Sequence, residues 1–252
     1  MAASGLLMVG VYPIAGRVGA LSQVRPDRWS NRSAVPRLAG PALLLGLLPW
    51  VPWRAGLILA AFCGVGVLDD LHRLSARDKS LLLALPTGLA AWLTGDLWTA
   101  CGCFVVATAF NLLDHADGLA GTVALVSLAM AGGHLGFAGA GACAGFLLHN
   151  YPPARAYLGD GGSHLLGAAV VLAWEPQGLT PTILGSAVPL IDVGYVSLRR
   201  LIHGRAPWIG GTDHTGHELL RAGLAPRVLP PAYGAVAGLA IVLGRSLGAW
   251  RF

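Results

Sequence analysis

Residues 55–79 read AGLILAAFCGVGVLDDLHRLSARDK. The first 14 of these carry no charge; two aspartates then stand side by side, and a basic stretch follows. An apolar run closed in this way reads as a helix that crosses a bilayer and ends at its headgroup surface. The pattern recurs on both sides. Apolar segments lie at 4–22, 39–52, 55–68, 80–95, 97–113, 119–134, 136–150, 163–175, 180–199 and 228–247. Of the 252 residues, 55% are hydrophobic and 12% charged, with a mean hydropathy of +0.64. Soluble domains carry about a quarter charged residues, so an ordinary soluble domain and a disordered chain are excluded. A nucleic-acid partner is not expected either, despite a pI near 9.4. The fold expected is all-α: a polytopic membrane helical bundle of about ten transmembrane helices, forming one integral-membrane domain over residues 1–252. Several segments are short for a hydrocarbon core of about 30 Å, so some pairs are expected as thin hairpins.

Charge gives the orientation. Counting loops from the first span, the odd ones hold Arg25, Arg28, Arg32, Arg37, Arg73, Arg77, Lys79, Arg155, Arg199, Arg200, Arg205, Arg221 and Arg227. The other face holds Arg54, Arg245 and Arg251. The positive-inside rule then puts the odd loops in the cytoplasm and both termini outside. Trp50, Trp53, Trp92, Trp98 and Trp174 fall near the outer face, as an interfacial belt would. The four cysteines, Cys63, Cys101, Cys103 and Cys143, lie in apolar stretches and read as small packing residues. The N-terminal stretch lacks a basic n-region and is not read as a signal peptide.

Carboxylates crowd the same cytoplasmic face, which the positive-inside rule does not explain. The span interiors read as nearly free of charge apart from Arg17. Asp69 and Asp70 end the third span; two adjacent carboxylates raise one another's proton affinity unless a cation binds. In FNLLDHADGLAG, residues 110–121, Asn111, Asp114 and Asp117 recur every third residue. On a continuing helix they would line one wall of a cleft. Asp160 lies in YPPARAYLGDGGSHLLGA, residues 151–168. Gly159, Gly161 and Gly162 there permit positive φ and close approach, and the next helix offers its amides to an anion.

The fourth stretch, RRLIHGRAPWIGGTDHTGHELL, spans residues 199–220. His214 and His217 follow Asp213, with Arg199, Arg200 and Arg205 upstream. No cysteine lies near and no third nitrogen ligand is evident, which argues against zinc. The arginines would grip a diphosphate as a group. Oxygen-rich, sulfur-free donors suit Mg²⁺, with Mn²⁺ as the alternative, and Mg²⁺ binds through carboxylates and substrate phosphates. A nucleoside diphosphate handled at the inner surface follows, with a lipid co-substrate entering from the bilayer.

In order, these motifs resemble those of the polyprenyl-phosphate sugar-1-phosphate transferases, glycosyltransferase family 4. LDDLHRLSARDK is similar to the DD loop, NLLDHADGLAG to NxxDGxDG, YLGDGGSHLLG to (F/Y)MGDxGS, and DHTGHELL to HxHH. RPDRWSNRSAVPRLAG is similar to the first cytoplasmic loop. The resemblance implies a bundle of ten spans in the bacterial plasma membrane, with both ends outside and the active site facing the cytoplasm. It implies transfer of a sugar-1-phosphate, in the N-acetylhexosamine form, from a UDP-sugar to polyprenyl phosphate with release of UMP, in cell-envelope glycan synthesis. Asp160 is then the principal Mg²⁺ ligand, with Asp69 at the metal. Asp69, Asp70, Asp114, Asp117 and His214 are the catalytic candidates, one of the adjacent aspartates accepting the lipid phosphate's proton. Lys79, Asn111, Arg199, Arg200 and His217 bind substrate. A homodimer is allowed for.

The chain departs from the pattern at four positions. His115 stands for the glycine after the first aspartate of NxxDGxDG, Thr108 for an asparagine, Gly216 for the middle histidine of HxHH, and Asn31 for a histidine of the first loop. No carboxylate of the pattern is lost. The alternative is a paralogue that binds lipid or a partner without turnover.

Overall fold

The computed structural model describes residues 2–22, 34–208 and 211–248. Arg25, Arg28, Asn31, Arg32 and Arg251 lie outside the described residues. The described chain is helical, with no strand beyond a single bridge between Leu21 and Pro36. The helices are α1 (Ala2–Arg17), α2 (Ala39–Leu47), α3 (Trp53–His72), α4 (Ala76–Thr94), α5 (Leu97–Leu113), α6 (Leu119–Ala131), α7 (Gly133–Asn150), α8 (Gly159–Trp174), α9 (Leu179–Gly185), α10 (Ala187–Ile202), α11 (Thr215–Arg221) and α12 (Leu229–Ser246).

Among the described residues α3 alone is long and apolar enough to cross a bilayer unaided. The expected ninth span, 180–199, is two helices: α9 and α10 meet at a 69° bend and pass the same length-and-composition test together. The outer faces are apolar. Leu81, Leu85 and Trp92 on α4, Phe137 on α7 and Ile191, Leu198 and Ile202 on α10 are all exposed. Apolar surface on this scale suits a face that meets lipid or another protein.

Helix ends follow local chemistry. Ser75 caps α4 by accepting from the Asp78 amide at 3.1 Å, and Asp96 caps α5 by accepting from the amides of Trp98 and Thr99. Trp50, Trp53, Trp92 and Trp98 are exposed as expected. Trp174 is not: it is fully buried and its indole N–H donates to Ser127 Oγ at 2.9 Å. A buried Trp needs such a partner. Cys63, Cys103 and Cys143 are buried, whereas Cys101 is exposed.

Helix α8 is the central post; almost all of its residues are buried. It packs against α2, α3, α5, α6 and α7. Small residues make the approach close enough. A Cβ on Gly66 of α3 would run into the backbone of Asp160 and Gly161, and one on Gly40 of α2 would sit 2.5 Å from the Gly162 amide nitrogen. Backbones at that range exclude any side chain. Gly159 has φ +68°, which lets the chain turn sharply into α8. The result is that the first turn of α8, with Asp160, lies between α2 and α3.

Candidate active site

Asp69 and Asp70 sit in the last turn of α3, both buried. α3 stops because Arg73 takes a left-handed conformation, φ 52°, and the Leu74 amide donates to Asp69 Oδ1 at 2.6 Å. Lys79, one turn into α4, forms ion pairs with both Asp69 and Asp160. Arg37 lies 3.1 Å from Asp70 and 3.4 Å from Asp160. The Gly161 amide donates to Asp70 Oδ2 at 3.1 Å. That amide, expected to face an anionic ligand, is therefore held by one of the chain's own carboxylates.

The second carboxylate wall differs from its expected form. α5 ends at Leu113, and residues 114–118 form a turn closed by Gly118 at φ +73°. The helix thus does not continue beneath Asp117. Asn150 fastens the turn: its side chain accepts from the Gly118 amide at 2.9 Å and donates to the Ala156 carbonyl at 2.8 Å. Asp117 accepts from the Ala154 amide at 2.9 Å. Asn111, on the last turn of α5, donates to Ser163 Oγ at 3.1 Å, one turn into α8 from Asp160.

Burial and then the nearby Asp160 charge push the Asp114 carboxyl up to about 8. Burial pushes that of Asp117 up to about 6. Asp69, Asp70 and Asp160 against Arg37 and Lys79 leave a surplus of negative charge. All the donors are oxygens, and the Lys79 ammonium already bridges Asp69 and Asp160 as a cation would. The residues present fit an oxygen-seeking divalent ion.

A histidine cluster forms around His115, the residue after Asp114. His214 precedes α11, and its Nδ1 lies 2.8 Å from Asp192 Oδ2; Thr215 adds a 3.0 Å amide bond to the other oxygen. Asp192 is a charge inside an expected span, overturning the reading that only Arg17 breaks the span interiors. An acidic residue within PLIDVGYV is the signal that would have found it. His115 stacks on both His214 and His217, with ring centroids 4.6 Å away in each case. Sequence spacing gave no third nitrogen beside His214 and His217; the fold brings His115 there. Burial and then His214 hold the His115 imidazole down to about 3, neutral at ordinary pH.

The two arginines each hold a carboxylate of the chain. Arg200 is buried and holds Asp213 through Nε at 2.9 Å and Nη2 at 2.6 Å, and the Pro207 carbonyl through Nη1 at 2.6 Å. Arg199 pairs with Glu218. Arg200 therefore serves to hold the segment that leads to His214. Arg37, counted in the sequence only as a basic loop residue, reaches the aspartates instead.

Residues 89–174 match the sequence profile of glycosyl transferase family 4. A Streptomyces coelicolor protein with a glycosyltransferase name is 34% identical, over 96% of this chain and 68% of its own. An undecaprenyl-phosphate alpha-N-acetylglucosaminyl 1-phosphate transferase of Thermotoga maritima is 31% identical, over 78% of this chain and 72% of its own. A phospho-N-acetylmuramoyl-pentapeptide-transferase of a Synechococcus species is 34% identical, over 80% of this chain and 70% of its own.

Proposed function

The chain belongs to glycosyl transferase family 4, and from that premise we propose that it transfers N-acetylhexosamine-1-phosphate from a UDP-sugar to polyprenyl phosphate. UMP is the second product. The reaction takes place at the cytoplasmic face of the bacterial plasma membrane, on a bundle of about ten spans with both termini outside. The observation that carries this reading is the meeting of Asp69, Asp70 and Asp160 on two shared cations, Lys79 and Arg37.

The chemistry joins two anions. An oxygen of the lipid phosphate forms a bond to the sugar-bearing phosphorus, and the bond from that phosphorus to the bridging oxygen breaks, leaving with UMP. Charge neutralisation is the main demand. Mg²⁺, with Mn²⁺ as the substitute, would be held by Asp160 and Asp69 and would draw negative charge from the phosphoryl oxygens. Arg37 and Lys79 supply the chain's own positive charge at that point. Both carboxylates of the adjacent pair already accept hydrogen bonds, Asp69 from Leu74 and Asp70 from Gly161. A phosphate monoester has its second pKa near 6, so the lipid phosphate is largely deprotonated at neutral pH. Asn111, Asp114 and Asp117 line the nucleotide side, and His214 with His217 faces the phosphates.

The deciding experiment is mass spectrometry of lipid products from purified protein given polyprenyl phosphate, Mg²⁺ and a panel of UDP-sugars. A lipid-linked sugar diphosphate with matching UMP release supports the proposal. No lipid product with any donor, where a relative works, defeats it.

A further inference from the structure

Two of the positions that break the family pattern meet in space. His115 stands where NxxDGxDG has a glycine, and Gly216 where HxHH has a histidine. A Cβ on Gly216 would lie 2.5 Å from His115 Nε2, closer than side chains pack. The imidazole at 115 and any side chain at 216 thus claim the same volume. The ring that occupies it stacks on two others: its plane lies 25° and 29° from those of His214 and His217, whose own centroids are 5.9 Å apart, so the three rings form a compact triangle.

We propose that His115 is the third imidazole of the phosphate-handling cluster, carried on the carboxylate turn instead of on the segment before α11. The two departures are then one exchange: a ring has moved from one wall of the cleft to the other. A ring nitrogen supports more than a space-filling role. His115 Nδ1 lies 3.2 Å from the Leu112 carbonyl, which can only accept, so the proton stands on Nδ1. Nε2 is buried and makes no hydrogen bond among the described residues. An orphaned buried nitrogen is costly, and a hydrocarbon ring would fill the space without that cost. His115, Asp117 and His217 also line a cavity of about 20 Å³, room for one water-sized group.

His115, Asp192 and His214 offer ligand atoms within 4.8 Å of one another, as a metal site would. The near-parallel stacking of His115 on His214 argues against one: in-plane lone pairs of stacked rings run side by side and do not converge on a point.

The phosphate role rests on the transferase reading; the exchange of position does not. The test uses full-length protein, with UDP and Mg²⁺ as the probe, and reads dissociation constant, melting temperature and transferase rate. Gly216→His alone lowers the melting temperature and weakens UDP binding. His115→Gly and His115→Phe each weaken UDP binding about tenfold, the value of one hydrogen bond; the phenylalanine keeps an aromatic ring at the position without its nitrogens. The double variant His115→Gly with Gly216→His recovers melting temperature and UDP affinity together. The proposal falls if the double variant is no better than the worse single one, if His115→Phe binds UDP like the parent, or if stoichiometric zinc co-purifies and is lost in His115→Gly. UDP binding without lipid product from any donor counts against the transferase reading alone. Lipid product together with parent-like affinity in the His115 variants counts against this inference alone.

Discussion

The Asp192 carboxylate accepts a hydrogen bond from His214 Nδ1 at 2.8 Å, and this fixes the tautomer and orientation of that ring. The second Asp192 oxygen takes the Thr215 amide and hydroxyl, so the carboxylate also holds the start of α11. Asp192→Asn keeps the shape but loses the charge-assisted bond. Such bonds contribute about 1.5–3 kcal/mol, so kcat should fall about tenfold to a hundredfold. KM for the UDP-sugar should change less than kcat; steady-state kinetics with wild-type-like KM and kcat would remove Asp192 from the site.

Asp160→Asn removes the carboxylate on which Lys79 and Arg37 both converge. Turnover should drop by at least about 10²-fold, the scale of losing one preorganised electrostatic group. The melting temperature should move little, since α8 is held by backbone packing at Gly40 and Gly66. Product formation per unit of folded protein is the measurement.

Chelation should abolish turnover, and added Mg²⁺ should restore it. With UMP present, Mg²⁺ should also raise the melting temperature. A ligand at about 100 times its dissociation constant adds about 2.7 kcal/mol to the folded state. A thermal shift that is the same with and without Mg²⁺ would remove the metal from the nucleotide site.

Gly66→Ala would place a methyl group against the backbone of Asp160 and Gly161, which cannot rotate out of its way. Overpacking of this kind costs about 1–3 kcal/mol. The first turn of α8 should be pushed from α3, so activity and melting temperature should fall together. Gly64→Ala, two residues away with open space around it, is the control expected to keep both.

The Arg200 guanidinium beside Asp213 holds its carboxyl down to about 2, below the usual carboxylate range. A lowered acid favours the folded state while ionised, so this contribution is full at neutral pH. It fades as pH falls from about 4 towards 2. Asp213→Asn should therefore be less stable than the parent at pH 7, and the gap should close below pH 4 in denaturant titrations at each pH.

The carboxylates were legible in the sequence because each sits at the end of an apolar run, where a local pattern marks it. Asp69, Asp70, Asp114 and Asp160 needed no knowledge of distant contacts. What local pattern could not supply was pairing. Asp213 as the partner of Arg200, and Asp192 as the partner of His214, became visible only when α10 met the segment before α11. Trp174 reads the same in an interfacial belt and in a core, and only packing separates the two. The end of α5 at Leu113 depends on Asn150 gripping the following turn from far along the chain.

The clamping of α8 by bare glycine backbones leaves the middle of this protein no slack. The position of Asp160 on that pillar is set by backbone contacts, not by side chains that could be exchanged. The segment bearing His214 is fastened instead by side-chain pairs, Arg200 with Asp213 and His214 with Asp192, which single substitutions can loosen one at a time.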